Sequence, residues 1–404
     1  MQEQVELGEF RKRVRAWLEA NARSRRSAGT APVTGEVGFL STEDHAAVAN
    51  EAKDFQRRLY EGGLAALRWP TAYGGQGLGI QEQLAFNQEA DDFVLPIYVL
   101  SVGFGQAGPA ILGFGSPGQK ERFIPAIVRG DDLWCQLFSE PEAGSDLAGL
   151  RTTAVADGDQ FVVNGQKVWT SFAQYADWGL LLARTDPAAP KHHGLSMFAL
   201  DMRSPGVEVR PLRQISGGSS FNEVFFSDVR IPAAHLIGER NAGWAVAKGV
   251  LASERVVRVL GVVQSETEES LEQLLALARS RKLAGDPIVR QRLVELWSRQ
   301  RIANLLSERV VAAVLAGREP GPEGSISMLV GTDLRRREAE LSADLAGPPG
   351  MAWPEDEPEA DLWAQRLLTS RAAGIAGGTS QIQRNIVAEH VLGLPREPMP
   401  GSAT

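Results

Sequence analysis

Few side chains in this sequence combine a type and a spacing that could do chemistry. The most informative is Glu254, in the middle of residues 251–263 (LASERVVRVLGVV). Apolar side chains there go nearly all the way round a helix, the mark of a helix inside a protein. A carboxylate in that setting is costly unless paired. One reading is an i, i+4 ion pair with Arg258, worth a few tenths of a kcal/mol if exposed. The other is a general base whose pKa rises as water leaves the site. On the residues alone the ion pair ranks first. Three loop motifs follow. Residues 139–146 (SEPEAGSD) offer hydroxyls and backbone amides to a polar ring or a phosphate, although a plain inter-domain loop would read the same way. In 165–171 (GQKVWTS), Trp169 either stacks on a flat cofactor or fills a core, and core is the more frequent fate. In 377–384 (GGTSQIQR), two glycines lead into a helix whose Ser380 and Gln383 fit a capping box. Free amides at such a helix start attract phosphate, and capping alone also explains the residues.

The common catalytic sets are missing. The histidines, at 45, 192, 193, 235 and 390, show no metal-ligand spacing, and His192-His193 reads as a solvated loop pair. No metal site is expected. There is no Gly-x-Ser-x-Gly elbow and no Walker loop. No Gly-x-Gly-x-x-Gly run follows a strand and opens a helix, which disfavours a Rossmann site.

The elements that must position these residues form three blocks. Residues 1–130 read as helical: Val5, Phe10, Val14 and Trp17 recur at helix spacing, and further helices fall at about 44–67, 81–92 and 119–128. Residues 131–238 read as a small β domain, with short strands at 151–155, 160–163, 180–183, 195–200, 207–210 and 222–226 and a hairpin turn at Asp157-Gly158. Residues 239–404 return to the helical period, with Asn241 as a cap for a helix to about Leu277, then 290–316, 326–346 and a last helix near Thr379. Such a chain of 404 residues fits two or three domains at about 150 residues each. With 42 Lys and Arg against 50 Asp and Glu, the net charge of −8 argues against a nucleic-acid binder. A single cysteine, Cys135, excludes an internal disulfide. No apolar run is long enough to span a membrane. The N-terminus lacks a signal layout, so the expected location is cytoplasmic.

Four stretches in order, SEPEAGSDLAGL, NGQKVWTS, NEVFFSDVRIP and GGTSQIQRNIVAEHVLGLP, resemble the acyl-CoA dehydrogenase family of flavoproteins, within a likeness that runs over about residues 65–398. The resemblance implies an α+β multidomain fold: an N-terminal helical domain, a central small β-barrel domain and a C-terminal four-helix bundle. It implies FAD, bound without a Rossmann fold. The residues matched to the flavin and its ribityl chain are Gln136, Phe138, Ser139, Ser145, Trp169, Thr170 and Ser171. Thr379 and Gln381 match contacts on the phosphate and ribose side. Ser145, Arg255, Gly377 and Gly378 match positions that face the acyl-CoA. The family reaction removes an α-proton to a carboxylate and a β-hydride to the flavin, with the thioester carbonyl polarised by hydrogen bonds.

The sequence departs from the commonest pattern where many members carry a glutamate before Gly-Thr-Ser. That position is Gly377, which cannot take a proton and leaves room for a branched or bulky acyl group. Branches similar to the isovaleryl-CoA and actinobacterial steroid-side-chain types carry the base on the buried helix before an arginine. Glu254-Arg255 matches them, so the resemblance reverses the earlier ranking and makes Glu254 the expected base. The family's Arg-x-x-Phe-Gly signature is replaced by 279–286 (RSRKLAGD), and Asp344 stands where a glutamine is common, before Gly347-Pro348-Pro349-Gly350. These changes suggest a mixed-subunit type. The implied partners are an acyl-CoA substrate, an electron-transferring flavoprotein, and a homotetramer or a heterotetramer with a related subunit. The alternatives are a non-catalytic partner subunit and an oxidase or hydroxylase on the same fold.

Overall fold

The computed structural model describes residues 2–25, 45–259, 267–318, 321–348, 352 and 358–396, with 2–4, 45, 252–259, 267–270 and 358–362 described by backbone alone. The chain divides into two compact units, residues 1–257 with 261–264 and residues 258–260 with 265–404.

The first unit opens with α1 (Gln2–Asn21), β1 (Arg23–Ser24), α2 (His45–Glu61), α3 (Ile80–Ala90) and β2 (Phe93–Val94). In α1 the apolar period delivers Val14 and Leu18 to the core, both fully buried. A π-helical turn, Gly103–Ala107, leads directly into α4 (Gly108–Phe114). The run GFGQAG therefore lies within helical backbone and not in a strand-to-helix phosphate turn. Next, α5 (Pro117–Arg129) shows why a helix starts and stops. Ser116 and Gln119 form a capping box, Pro117 occupies the first turn, and Gly130 closes the end at φ +76°. The Gln119 amide also donates to the carbonyls of Ala234 and Leu236 at 2.7 and 2.8 Å, tying the helices to the β part.

The sheet contains β3 (Trp134–Leu137), β4 (Thr153–Asp157), β5 (Gln160–Ser171), β6 (Trp178–Arg184), β7 (Leu195–Asp201), β8 (Val207–Leu212), β9 (Phe221–Pro232) and β10 (Leu236–Ile237). Its order is β10-β7-β6-β4-β5-β9-β8, with β3 parallel to β6. The Asp157-Gly158 turn joins β4 to β5 as the sequence suggests, with Asp157 opposite Gln160 and Gly158 at φ +63°. Strands β6 and β7 do not alternate. Leu180, Leu182, Met197 and Ala199 face a core shared with the N-terminal helices. Leu181, Ala183, Phe198 and Leu200 face a second core closed by Phe161, Val224 and Val229. A strand buried on both faces must be apolar throughout.

The last helix of this unit is α6 (Gly243–Val259). Asn241 does not cap it through its side chain as expected. The residue sits at φ +68°, and its side-chain oxygen accepts from the Thr185 hydroxyl at 2.6 Å. The sequence reads one helix to about Leu277, whereas the described residues form α6 and, in the second unit, α7 (Thr267–Ser280).

With α7 in the second unit are α8 (Pro287–Leu315), α9 (Gly324–Ala346), α10 (Pro358–Thr369) and α11 (Ser380–Ile386). Leu274, Leu277, Leu293, Leu296, Leu334, Leu341, Leu345 and Trp363 make the core of a bundle of α7 to α10. The residues in place of the Arg-x-x-Phe-Gly signature form the end of α7 and the turn into α8. Asp286 caps α8 by accepting the N–H groups of Ile288 and Val289 at 2.8 and 3.1 Å. Asp344 pairs with Arg292 at 2.7 Å. Among the described residues, no helix is long and apolar enough to cross a membrane.

Candidate functional site

Six of the expected residues fall at or just beyond the ends of two strands. Gln136 lies on β3, and Phe138 and Ser139 follow it, while Trp169, Thr170 and Ser171 end β5. The two segments touch through backbone: the Val168 N–H donates to the Ser139 carbonyl at 2.9 Å. Phe138 is buried. Ser139 and Ser171 are half-buried, and Ser145 is exposed beyond a tight turn in which Glu140 and Ala143 exchange backbone hydrogen bonds at 3.1 and 3.0 Å.

The expectation that Trp169 fills a core fails. Its side chain is 62% exposed, meeting only the edge of Phe221 at 6.2 Å among described aromatic rings. The cause is a bulge. Lys167 pairs with Val224 and Thr170 with Asn222, so Val168 and Trp169 oppose Glu223 alone. Trp169 takes φ +61°, left-handed backbone that a bulky residue rarely adopts. Bulges re-aim side chains beside functional sites, and this one presents an indole face to solvent.

Three buried polar atoms here have no partner among the described residues: Gln136 Nε2, Thr170 Oγ1 and, on the strand residue opposite Thr170, Asn222 Oδ1. Thr170 is 1% exposed, and its carbonyl accepts from Asn222 Nδ2 at 3.0 Å. A native structure rarely leaves such groups bare unless a ligand or water meets them.

The sequence reading missed the ion pair that fastens these segments. Lys167 is completely buried, and its ammonium donates to Glu140 Oε1 at 2.8 Å and to the Phe138 carbonyl at 2.9 Å. Burial drives its pKa down to about 8, against the opposing pull of Glu140. Burial pushes Glu140 up. Lys167 and the hydrogen bonds from Thr152 and Arg151 outweigh it and hold the carboxyl below its ordinary 4.5. The signal in the sequence was a lysine on a strand of buried apolar residues, which demands a partner.

In the second unit, the GGTSQIQR motif forms a glycine turn and α11. Gly377 and Gly378 take φ +71° and +100°. The cap is Thr379 and not Ser380, because Thr379 Oγ1 accepts the Ile382 N–H at 3.3 Å. Gln383 reaches back to the carbonyls of Gly377 and Gly378 at 2.9 and 3.3 Å. Thr379 is half-buried and Gln381 exposed. The left-handed turn explains glycine at 377, since any side chain there would meet backbone strain. Glu254 and Arg255 belong to the backbone of α6, and the placement of their side chains lies outside the described residues.

Comparison with known proteins gives matches along the chain. Residues 38–131, 135–229 and 241–392 match the N-terminal, middle and C-terminal domains of acyl-CoA dehydrogenase. Acyl-CoA dehydrogenase IpdE1 of Mycobacterium tuberculosis is 41% identical over 97% of this chain and 99% of its own length. Among solved structures, the Tcur3481-Tcur3483 steroid ACAD superposes with a TM-score of 0.81 at 29% identity, covering 97% of this chain and 98% of that one. The ChsE4-ChsE5 complex from Mycobacterium tuberculosis gives 0.76 at 29% identity, with the same coverage. Matched in sequence by all three domains and in fold over nearly its whole length, the chain belongs to the acyl-CoA dehydrogenase family.

Proposed function

We propose that the chain is an FAD-dependent dehydrogenase that converts an acyl-CoA thioester to its trans-2-enoyl form and passes the electrons to an electron-transferring flavoprotein in the cytoplasm. The observation that carries this reading is that two segments joined by the Val168 N–H to Ser139 carbonyl bond hold the buried, unpartnered atoms Gln136 Nε2 and Thr170 Oγ1 and, next to Thr170 in the chain, an exposed Trp169. A donor, a hydroxyl and an aromatic face are the groups that a flat polar ring system needs. Gln136, Phe138, Ser139, Ser145, Trp169, Thr170 and Ser171 would hold the flavin end of FAD, and Thr379 and Gln381 its phosphate and ribose side. FAD would supply the hydride acceptor for the β-hydrogen.

The remaining roles belong to the chain. Glu254 takes the α-proton, and exclusion of water raises its basicity. A backbone amide near Gly377 or Gly378 donates to the thioester carbonyl, where charge develops. Ser145 and Arg255 face the CoA portion. Similarity to a structure titled as a steroid ACAD supports a steroid-linked acyl group as the substrate class.

The test is anaerobic addition of acyl-CoA thioesters, steroid-linked ones included, while the visible flavin band is followed. Bleaching is expected with at least one. Glu254→Gln should keep FAD and lose turnover by about 10²–10⁴-fold, the scale of a general base. Near-wild-type turnover in that variant rejects the assignment. The turn that replaces the Arg-x-x-Phe-Gly signature, ending in the cap Asp286, favours a second arrangement in which a related subunit completes the site. A chain that purifies yellow, forms a homotetramer and bleaches alone rules that out.

A further inference from the structure

The bulge that turns Trp169 outward is fastened on both sides. After it, Asn222 Nδ2 holds the Thr170 carbonyl at 3.0 Å and Gln174 Oε1 at 2.5 Å. Before it stands Lys167, fully buried, gripping the Phe138 carbonyl at 2.9 Å and Glu140 at 2.8 Å. Glu140 is fixed in turn by the backbone N–H groups of Arg151 at 2.6 Å and Thr152 at 2.9 Å. The ammonium thus ties the chain just after β3 to the residue just before the bulge.

We propose that Lys167 is a positioning residue for the cofactor: through the Phe138 carbonyl and Glu140 it sets the spacing between the Gln136–Ser139 segment and the Trp169–Ser171 segment. The proposal rests on the reading of these segments as the flavin site. Net stability does not account for the pair. A buried ion pair contributes little net stability, and an apolar side chain of the same volume fills such a space as well or better. What the pair adds is a single geometry, because an ammonium shared between a carbonyl and a carboxylate accepts one arrangement of both. That geometry is needed here. A bulge with a non-glycine residue at φ +61° is strained backbone, and strained backbone persists only where its surroundings over-determine it. Released from Lys167, the bulge relaxes, and Trp169 and Thr170 shift against Phe138 and Ser139.

The experiment separates positioning from support of the fold. The full-length chain, stripped of FAD, is titrated with FAD by flavin fluorescence as wild type, Lys167→Met, Glu140→Gln and the double variant. Far-UV circular dichroism and thermal midpoints are recorded with and without FAD. Lys167→Met alone leaves a buried carboxylate without its counter-charge and Glu140→Gln alone a buried ammonium without its own, so both single variants are at risk of misfolding; the double variant removes both charges. The double variant should recover much of the FAD-free midpoint that Lys167→Met loses, short of wild type because the glutamine amide nitrogen must face one of the two backbone N–H groups that Glu140 accepts. Its FAD Kd should still rise about tenfold or more, comparable with the ~10–100-fold loss when an outer hydrogen-bond partner is removed from a metal site. Its FAD-dependent gain in midpoint should shrink. Glu140→Gln keeps the tether to Phe138 but leaves a buried ammonium without its counter-charge, so its FAD Kd should rise, by less than that of the double variant. Wild-type affinity and FAD-dependent stabilisation in the double variant would overturn the proposal, as would an equal loss in Glu140→Gln. Failure of the wild type to bind FAD would instead sink the reading of the site, and the positioning role with it.

Discussion

Thr170→Val should change stability in opposite directions with and without cofactor. Thr170 is 1% exposed, and its Oγ1 is buried with no partner among the described residues. Burying a hydroxyl without a partner costs about 1–3 kcal/mol on protein mutational scales. Valine has nearly the same shape and no polar atom. In FAD-free protein the exchange should therefore stabilise, by about 1 kcal/mol. In the loaded protein the proposed site would bring the hydroxyl to the flavin, and its removal would forfeit a net hydrogen bond of about 0.5–1.5 kcal/mol. Added to the stabilisation of the FAD-free form, this weakens binding by about 1.5–2.5 kcal/mol, a rise of about 12- to 70-fold in FAD Kd. Urea unfolding of the stripped chain reads the first effect, and a fluorescence titration reads the second. A valine variant that unfolds at lower urea than wild type, yet binds FAD equally well, would show that the hydroxyl serves the protein and not a ligand.

Gly377→Ala should lower the stability of the second unit by about 1–2 kcal/mol, because φ +71° is left-handed backbone; a shifted urea midpoint at unchanged slope would show it. Trp169→Ala should leave FAD-free stability within about 0.5 kcal/mol, as for an exposed side chain. The same variant should weaken FAD in the titration, by a stacking contribution of about 0.5–1.5 kcal/mol. Glu140 is held below its ordinary pKa of 4.5, so its contribution to folding is complete above that pH and lost as pH falls through the folded value. Thermal midpoints recorded from pH 7 downward should fall less steeply in Glu140→Gln than in wild type.

The helical–β–helical order was legible because the apolar period switches from that of a helix to short β-rich runs and back, and each change is written in many residues. The π-helical turn Gly103–Ala107 and α4 were not. Their glycines and small residues carry no amphipathic stripe, and the packing of the turn's own Phe104 against Trp69 holds that backbone instead. Helix α10 also escaped, since it follows a proline-rich stretch. At the site, motif order located the segments, but local spacing misjudged what they do. For Trp169 the residues alone ranked core first as the commoner fate of a tryptophan, and the bulge that exposes it is a property of pairing with β9 that β5 alone does not reveal. Thr379 and Ser380 can both cap, and only backbone geometry decides between them. The Lys167–Glu140 pair joins residues far apart in the chain, so neither motif shows it alone.

The two-faced burial of β6 and β7 has a consequence for attempts to dissect the molecule. Leu180, Leu182, Met197 and Ala199 lean on the N-terminal helices, while Leu181, Ala183, Phe198 and Leu200 lean the other way. A fragment cut near residue 130 would bare one whole greasy side of its central ribbons and should precipitate. In hydrogen–deuterium exchange, the amides of α5 and of these two strands should open together, as a single cooperative block.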